Sequence, residues 1–234
     1  MKLPDEAADP ATVPPTGVEP TNPADFRGPG FLARAEVGLS RVPPGPGGPL
    51  ANPRGDHDLD PGGPAVAPAA PHRDAAVLVP VIERDAGMSV LLTRRAAHLR
   101  DHSGQIAFPG GKVDPGDGSP IDTALREARE EIGLAADAVR PLGYLDPYLS
   151  ATGFLVVPVV GLVAADAVLT LNRDEVDLAF EVPLHVLMDP ARHLVRSRAW
   201  QGRTRYFYAI PHGEHLIWGV TAGIVHNLYQ RLYA

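Results

Sequence analysis

The 234-residue chain has no cysteine, which excludes a disulfide framework, a thiolate metal site and a cysteine nucleophile. It also lacks any run near the ~18 apolar residues that span a bilayer. The N-terminal MKLPDEAADPATVPP has no apolar core of the kind that marks a secretory signal. Basic charge is in short supply: 21 Lys and Arg stand against 28 Asp and Glu, a formal net charge of −7. The average surface therefore repels the phosphates of nucleic acid and of anionic membranes. These absences predict a cytoplasmic protein that engages neither nucleic acid nor membrane, with a homodimer compatible. An anionic ligand would have to be met by local clusters of cations.

Proline and glycine, by contrast, are abundant and unevenly placed. Sixteen of the 26 prolines fall in residues 1–75, with the glycine clusters of VPPGPGGPL and DPGGPAVAPAAP, so this portion cannot sustain long helices or central strands. It is expected to be a largely disordered leader, 1–72, ahead of a domain at 73–234. Within the leader, ADFRGPGFLARAEVGL carries Phe26, Phe31, Leu32 and Leu39, enough to form a short helix or dock on the domain. From Ala75 the texture changes. AAVLVPVIER and MSVLLTRR around DAG predict a hairpin; VRPLGYLDPYLSATGFLVVPVVGLVA predicts two strands around SATG, the second buried on both faces. RTRYFYAI and EHLIWGV predict a further pair, and Ile224, Val225, Leu228 and Leu232 fall at helical spacing. The fold class is α/β, with helices on both faces of a mixed sheet.

The helix with the clearest boundaries contains REAREEIGL, residues 126–134. Ser119 is placed to be its N-cap, Pro120 its first residue, Asp122 its capping-box carboxylate and Gly133 its left-handed terminator. Ala124, Leu125, Ala128 and Ile132 form an apolar stripe, while Glu127, Glu130 and Glu131 lie at i, i+3 and i+4. Like charges so spaced repel unless a counter-charge stands among them. Arg126 and Arg129 could supply it on a plain solvated helix; a divalent cation is the other candidate. The upstream FPGGKVDPGD favours the cation, because Gly110 and Gly111 allow backbone approach, and hard oxygen ligands beside such a loop suit magnesium and phosphate.

From Gly111 through LREAREEIGL the chain resembles the Nudix box, G-x5-E-x7-R-E-U-x-E-E-x-G-U with U a bulky aliphatic residue. Arg126, Glu127, Glu130, Glu131, Gly133 and Leu134 match. Ala128 is smaller than usual, Gly111 lies one residue too far upstream, and Gly118 stands where the early glutamate belongs, with Asp117 the nearest carboxylate. The preceding LLTRRAAHLRDHSGQIAFPGG, residues 91–111, is similar at every fixed position to the signature of coenzyme A diphosphatases, LLTxR[SA]x3Rx3Gx3FPGG. The longer spacing and the aspartate also recur in that subgroup. The resemblance covers roughly 75–230 and implies a Nudix-type α/β/α sandwich.

It further implies metal-dependent hydrolysis of the coenzyme A diphosphate to 3′-phosphoadenosine 5′-phosphate and 4′-phosphopantetheine. Mg2+ or Mn2+ would be held by Glu127, Glu130 and Glu131. Glu127 or Glu130 would act as general base, and Arg126 would orient a glutamate. Arg95 and Arg100 would contact phosphate, with Gly110, Gly111 and Lys112 lining the substrate site. Glu175 and Glu181 are further candidate carboxylates, with salt-linked surface roles the equal alternative. His98 and His102 lack the glutamate of a zinc pair, and Trp218 is read as core. The box specifies diphosphate chemistry and not its substituents, so ADP-ribose, NADH or a modified nucleoside triphosphate is a rival substrate and a nucleotide-sensing module a rival role. The upstream motif argues against the first and the intact helix carboxylates against the second.

Overall fold

In a computed structural model the described residues are 23–45, 53–60, 72–99, 102–200 and 203–234. The helices among them are α1 (Gly28–Gly38), α2 (Pro120–Ile132), the single turn α3 (Leu184–Leu187) and α4 (Val220–Leu232). The strands are β1 (Arg54–Gly55), β2 (Arg73–Arg84), β3 (Gly87–Arg95), β4 (Ile106–Ala107), β5 (Gly110–Lys112), β6 (Val139–Tyr144), β7 (Tyr148–Leu149), β8 (Phe154–Val163), β9 (Val176–Pro183), β10 (Leu194–Trp200), β11 (Arg203–His212) and β12 (His215–Trp218).

β1 to β9 form one mixed sheet; β10, β11 and β12 form a separate antiparallel sheet. β2 lies at the centre, parallel to β8 over ten residue pairs, and this explains its nearly unbroken apolar run, since both faces are covered. Ala76, Leu78 and Ile82 pack with Ala124, Ala128 and Ile132 of α2. Ala75, Val79 and Val81 point the other way, into a core shared with Phe31, Ala35 and Leu39 of the first helix and Ile224, Val225 and Leu228 of the last. The result is an α/β/α sandwich whose two cores share one sheet.

β2 divides its partners along its length. Val81–Arg84 pairs with β3, whereas Ala75–Val77 pairs with β5. The far end of β3, at Thr93–Arg94, pairs with β4 instead. β2 and β3 therefore splay apart, and the β4–β5 connection, Phe108–Pro109, crosses the opening; the Leu78 N–H donates to Pro109 O at 2.8 Å.

A domain boundary at residue 73 leaves out part of this core. Phe31 is fully buried, worth about 1.5–3 kcal/mol of apolar transfer. Arg34 ties the first helix to the last through Leu232 O at 2.9 Å. The apolar spacing of GFLARAEVGL outweighs the surrounding prolines because only Pro29 falls inside the helix, in its first turn, where no N–H is needed. The short β1 is likewise paired, parallel to β7.

Between α4 and the small sheet, His193 and His226 meet Nδ1 to Nδ1 at 3.0 Å, and His193 Nε2 lies 2.6 Å from Leu187 O. A carbonyl only accepts, so His193 carries its proton on Nε2, and the His226 Nδ1–H must be the donor between the rings. Burial pushes both histidines down, His226 to about 4, aided there by His193 and Arg54. The unfolded chain thus binds protons that the folded chain refuses. Stability from this group is complete above about 6.5 and is lost as pH falls towards 4, by about 3 kcal/mol for His226. Urea unfolding of wild type and His226→Gln should show the wild-type advantage shrinking by that order between pH 7 and pH 4; a pH-independent difference would refute the assignment.

Candidate active site

The box helix begins and ends as its sequence dictates. Ser119 Oγ accepts from the Asp122 N–H at 3.2 Å and donates to the Asp122 carboxylate at 2.9 Å. Gly133 closes the helix in the left-handed region, φ 67°, with its N–H on Arg129 O at 3.0 Å. With Ala124, Ala128 and Ile132 held against the sheet, Glu127 and Glu131 are turned towards β5 and the end of β3, and Glu130 towards solvent.

Glu131 is the buried member, 3% exposed. Its Oε2 accepts from the Gly110 N–H at 3.2 Å, and its Oε1 lies 3.7 Å from Arg95 Nη1. Burial raises its pKa to about 7, against the opposing pull of that N–H and of Arg95. The Arg95 Nε is itself buried and has no hydrogen-bond partner. Glu127 lies against Gly111 so closely that a Cβ there would collide with its carboxylate. Desolvation raises the Glu127 pKa, and Glu130 and Glu175 add to the repulsion.

Arg126 organises the rest. Its Nε and Nη2 grip Asp117 at 3.1 and 3.0 Å, Nη2 also donates to Lys112 O at 2.9 Å, and Nη1 reaches Glu127 and Glu130 at 3.0 and 3.1 Å. Asp117 accepts further bonds from the Asp114 N–H and the Thr123 hydroxyl, at 2.9 and 2.8 Å. Arg126, first among these donors, holds the Asp117 carboxyl far below the usual carboxylate range, and Asp117 in turn raises the Arg126 pKa. The carboxylate missing at Gly118 is thus replaced, one position earlier, by an acid that reaches the box arginine with both oxygens.

Of the residues singled out in the sequence, Arg95, Gly110, Gly111, Arg126, Glu127, Glu130 and Glu131 lie together, and Lys112 takes part through its carbonyl. Arg100 lies outside the described residues. Glu175, beside the start of β9, bears electrostatically on Glu127 and Glu131. Glu181 does not belong here: it is paired with Arg84 at 2.6 Å and bound to the Ser89 hydroxyl. Asp117 was the participant hardest to extract from the sequence, because its signal was an offset in a pattern rather than a match.

The arrangement fits a divalent cation in kind. It offers hard carboxylate oxygens, and burial first, with repulsion from neighbouring acids, disfavours the charged form of Glu127 and Glu131, a cost that a bound cation would relieve. It does not present a finished shell. Among the described residues no three Asp, Glu or His side chains enclose a common point, because the Arg126 guanidinium stands between Glu127 and Glu130. The three glutamates share one helix, but among the described residues they do not converge on a common point, and Arg126 is the counter-charge that Glu127 and Glu130 meet.

No helix among the described residues is long and apolar enough to cross a membrane. The NUDIX domain model matches residues 71–201. Two proteins called "Uncharacterized Nudix hydrolase NudL", from Yersinia pestis (strain Pestoides F) and Yersinia pseudotuberculosis serotype O:1b (strain IP 31758), are each 45% identical over 164 residues, 70% of this chain and 82% of theirs. Among solved structures, a C. elegans Ap4A hydrolase aligns with a TM-score of 0.40 and 20% identity over 51% of this chain and 85% of that one. By the family model and the Yersinia relatives, the chain belongs to the Nudix family, hydrolases of diphosphate anhydrides in nucleoside diphosphate derivatives that generally use divalent metal ions.

Proposed function

We propose that the substrate is coenzyme A or an acyl-coenzyme A, cleaved at its diphosphate to 3′-phosphoadenosine 5′-phosphate and a 4′-phosphopantetheine. The observation that carries the reading is the run from Leu91 to Gly111. It supplies β3 with Arg95 at its end, then β4, then the two glycines whose backbone meets Glu131 and Glu127. The segment that resembles the coenzyme A diphosphatase signature is thus the one that builds the wall of the site opposite the box helix. The folded unit would be residues 73–234 together with the helix at Gly28–Gly38 that its core requires.

Glu127, Glu130 and Glu131 would hold Mg2+ or Mn2+, Glu130 turning inward from its 47% exposed position. The bound ion supplies charge neutralisation on the diphosphate oxygens and a more acidic water. Arg126, anchored by Asp117, sets the angle of Glu127 and Glu130, and the Gly110 N–H sets Glu131. Glu127 or Glu130 takes the proton of the attacking water as a new P–O bond forms and the bond to the bridging oxygen breaks. Arg95 and Arg100, with Lys112, would meet phosphate oxygens. The buried, unpartnered Arg95 Nε supports that role, since such a donor costs about 1–3 kcal/mol until an acceptor meets it.

The test is a mass-spectrometric screen of diphosphate compounds with purified protein and magnesium or manganese. Coenzyme A should yield the two named products with the highest kcat/KM of the panel. Much faster turnover of ADP-ribose, NADH or a nucleoside triphosphate would overturn the substrate and leave the hydrolase intact.

A further inference from the structure

β3 ends in two consecutive arginines, and the sheet sends them to opposite faces. Arg94 pairs with Ile106 of β4 and with Leu178 of β9, and residues paired across strands share a face. Ile106 belongs to the core shared with the first and last helices, so Arg94 stands on the face opposite α2. Arg95 stands on the α2 face, with Nη1 3.7 Å from Glu131. Their Cα atoms are one peptide apart, ~3.8 Å. Side chains on the two faces of one sheet are separated by about 10 Å, going by the spacing of packed layers, the scale of a single nucleotide.

Arg94 is also uncommitted. Among the described residues its side chain has no hydrogen bond and no ion pair. Arg129 and Arg140 share that condition but are exposed, where water serves them, whereas Arg94 is half-buried. Its nitrogens are not among the buried atoms that lack a partner, so the stem is covered and the guanidinium open to solvent. The acids at the start of β9 are engaged by other groups. Asp177 accepts from the Ala97 N–H at 2.9 Å, and Glu175 from the Asn172 amide at 3.0 Å.

A second donor lies next to this arginine's partner on β4. Gln105 precedes Ile106; its Oε1 accepts from His102 Nδ1 at 2.7 Å, and its Nε2 has no partner among the described residues. That Nε2 lies 4.0 Å from where a Cβ on Gly219 would stand. Gly219 joins β12 to α4, and two residues on the Thr221 hydroxyl donates to Ile106 O at 3.0 Å. The β12–α4 corner thus covers this end of β4, and glycine at the corner keeps a side chain off the Gln105 amide.

We propose that Arg94, with Gln105 Nε2 as a neighbouring donor, takes a phosphomonoester carried by the substrate outside the scissile diphosphate; this rests on the coenzyme A reading, in which that group is the ribose 3′-phosphate. Arg95 meets the diphosphate on one face of the sheet and Arg94 the monoester on the other, so two consecutive residues gauge the distance between the two anionic groups. A guanidinium offers phosphate two parallel charge-assisted bonds. No ion pair has to be broken before Arg94 makes them.

The experiment measures kcat and KM for coenzyme A and for dephospho-coenzyme A, which lacks the 3′-phosphate, with wild type, Arg94→Ala, Arg94→Lys and Arg140→Ala, the last removing one exposed positive charge elsewhere. Arg94→Ala should raise KM for coenzyme A on the order of tenfold, with kcat and both dephospho-coenzyme A constants little changed. Arg94→Lys, which keeps the charge and loses the paired geometry, should give a smaller rise, and Arg140→Ala none. Equal effects of Arg94→Ala on the two substrates, no effect, or the same rise in Arg140→Ala would overturn the subsite while leaving the coenzyme A reading standing. If Arg94→Ala does not fold, Arg94→Gln, which keeps most of the stem, is measured in its place and read in the same way. If wild type does not cleave coenzyme A, that reading fails by itself and binding decides. Calorimetric titration with 3′-phosphoadenosine 5′-phosphate and with AMP should then show wild type preferring the former and Arg94→Ala losing the preference; a preference equal in both proteins, or absent from wild type, would overturn the proposal.

Discussion

Glu131→Gln should abolish turnover while leaving the protein more stable at alkaline pH. With Glu131 among the ligands proposed for the cation, its loss should remove transition-state charge stabilisation worth several kcal/mol, on the order of a thousandfold in kcat. Glutamine keeps the shape and an oxygen for the Gly110 N–H, so the packing around position 131 survives. The stability effect has a defined sign. A carboxyl whose folded pKa is raised from 4.5 to about 7 gives its full stabilisation below 4.5 and loses it as pH rises through 7. Above that, the charged form costs about 3 kcal/mol relative to the unfolded chain. In chelator-treated protein, Glu131→Gln should therefore gain stability over wild type at pH 8 and lose most of that gain at pH 5. Paired urea titrations at the two pH values, with a turnover assay, check both halves. Retained activity would remove Glu131 from the metal set, and a gain independent of pH would show that burial of its charge is not what the wild type pays for.

Much of this site can be read in the chain because it is built locally. The N-cap at Ser119, the terminator at Gly133 and the stripe Ala124, Ala128 and Ile132 all lie within one helix, and the helix alone sets which way Glu127, Glu130 and Glu131 face. What escapes the sequence is long-range. The parallel register of β2 on β8 depends on chain returning from about eighty residues away, and apolar runs record that both strands are buried without recording which neighbours cover them. β10 resembles loop in the sequence because its alternation is of arginine with small residues rather than apolar with polar; it becomes a strand by pairing with β11. The helix at Gly28–Gly38 is legible as a short apolar segment, but its membership of the core is obscured for the opposite reason. Composition averaged over a proline-rich stretch obscures the few residues, Phe31, Ala35 and Leu39, that a distant core selects. The splay between β2 and β3 is a property of register that no single segment encodes.

Asp117→Ala is expected to have the second largest effect, on stability and catalysis together. It strips two charge-assisted bonds from Arg126, whose side chain is only 20% exposed, and leaves the Asp114 N–H and the Thr123 hydroxyl without their acceptor. Removing one partner of such a pair costs about 3–5 kcal/mol when the other stays buried; partial exposure of Arg126 sets the expectation at the lower end. Because the folded Asp117 carboxyl is held far below its ordinary 3.8, its contribution is complete above about 4 and vanishes as pH falls through the folded value. The difference from wild type should thus be constant from pH 5 to pH 8. The catalytic loss follows from what Arg126 keeps. Freed from Asp117, it keeps Lys112 O but shifts its charge towards Glu127 and Glu130, against the ligand role proposed for those acids, and kcat should fall by about 10–100-fold. Asp117→Asn, which retains acceptors for Thr123 and Asp114, should lie between. Gly118 offers the sharper control, since a Cβ there would meet only Asp122, at 3.2 Å. If a carboxylate on Arg126 is what matters, adding Gly118→Glu to Asp117→Ala should recover part of the activity. No recovery from a folded double variant would mean that Asp117 acts through the Asp114–Thr123 turn rather than through the arginine.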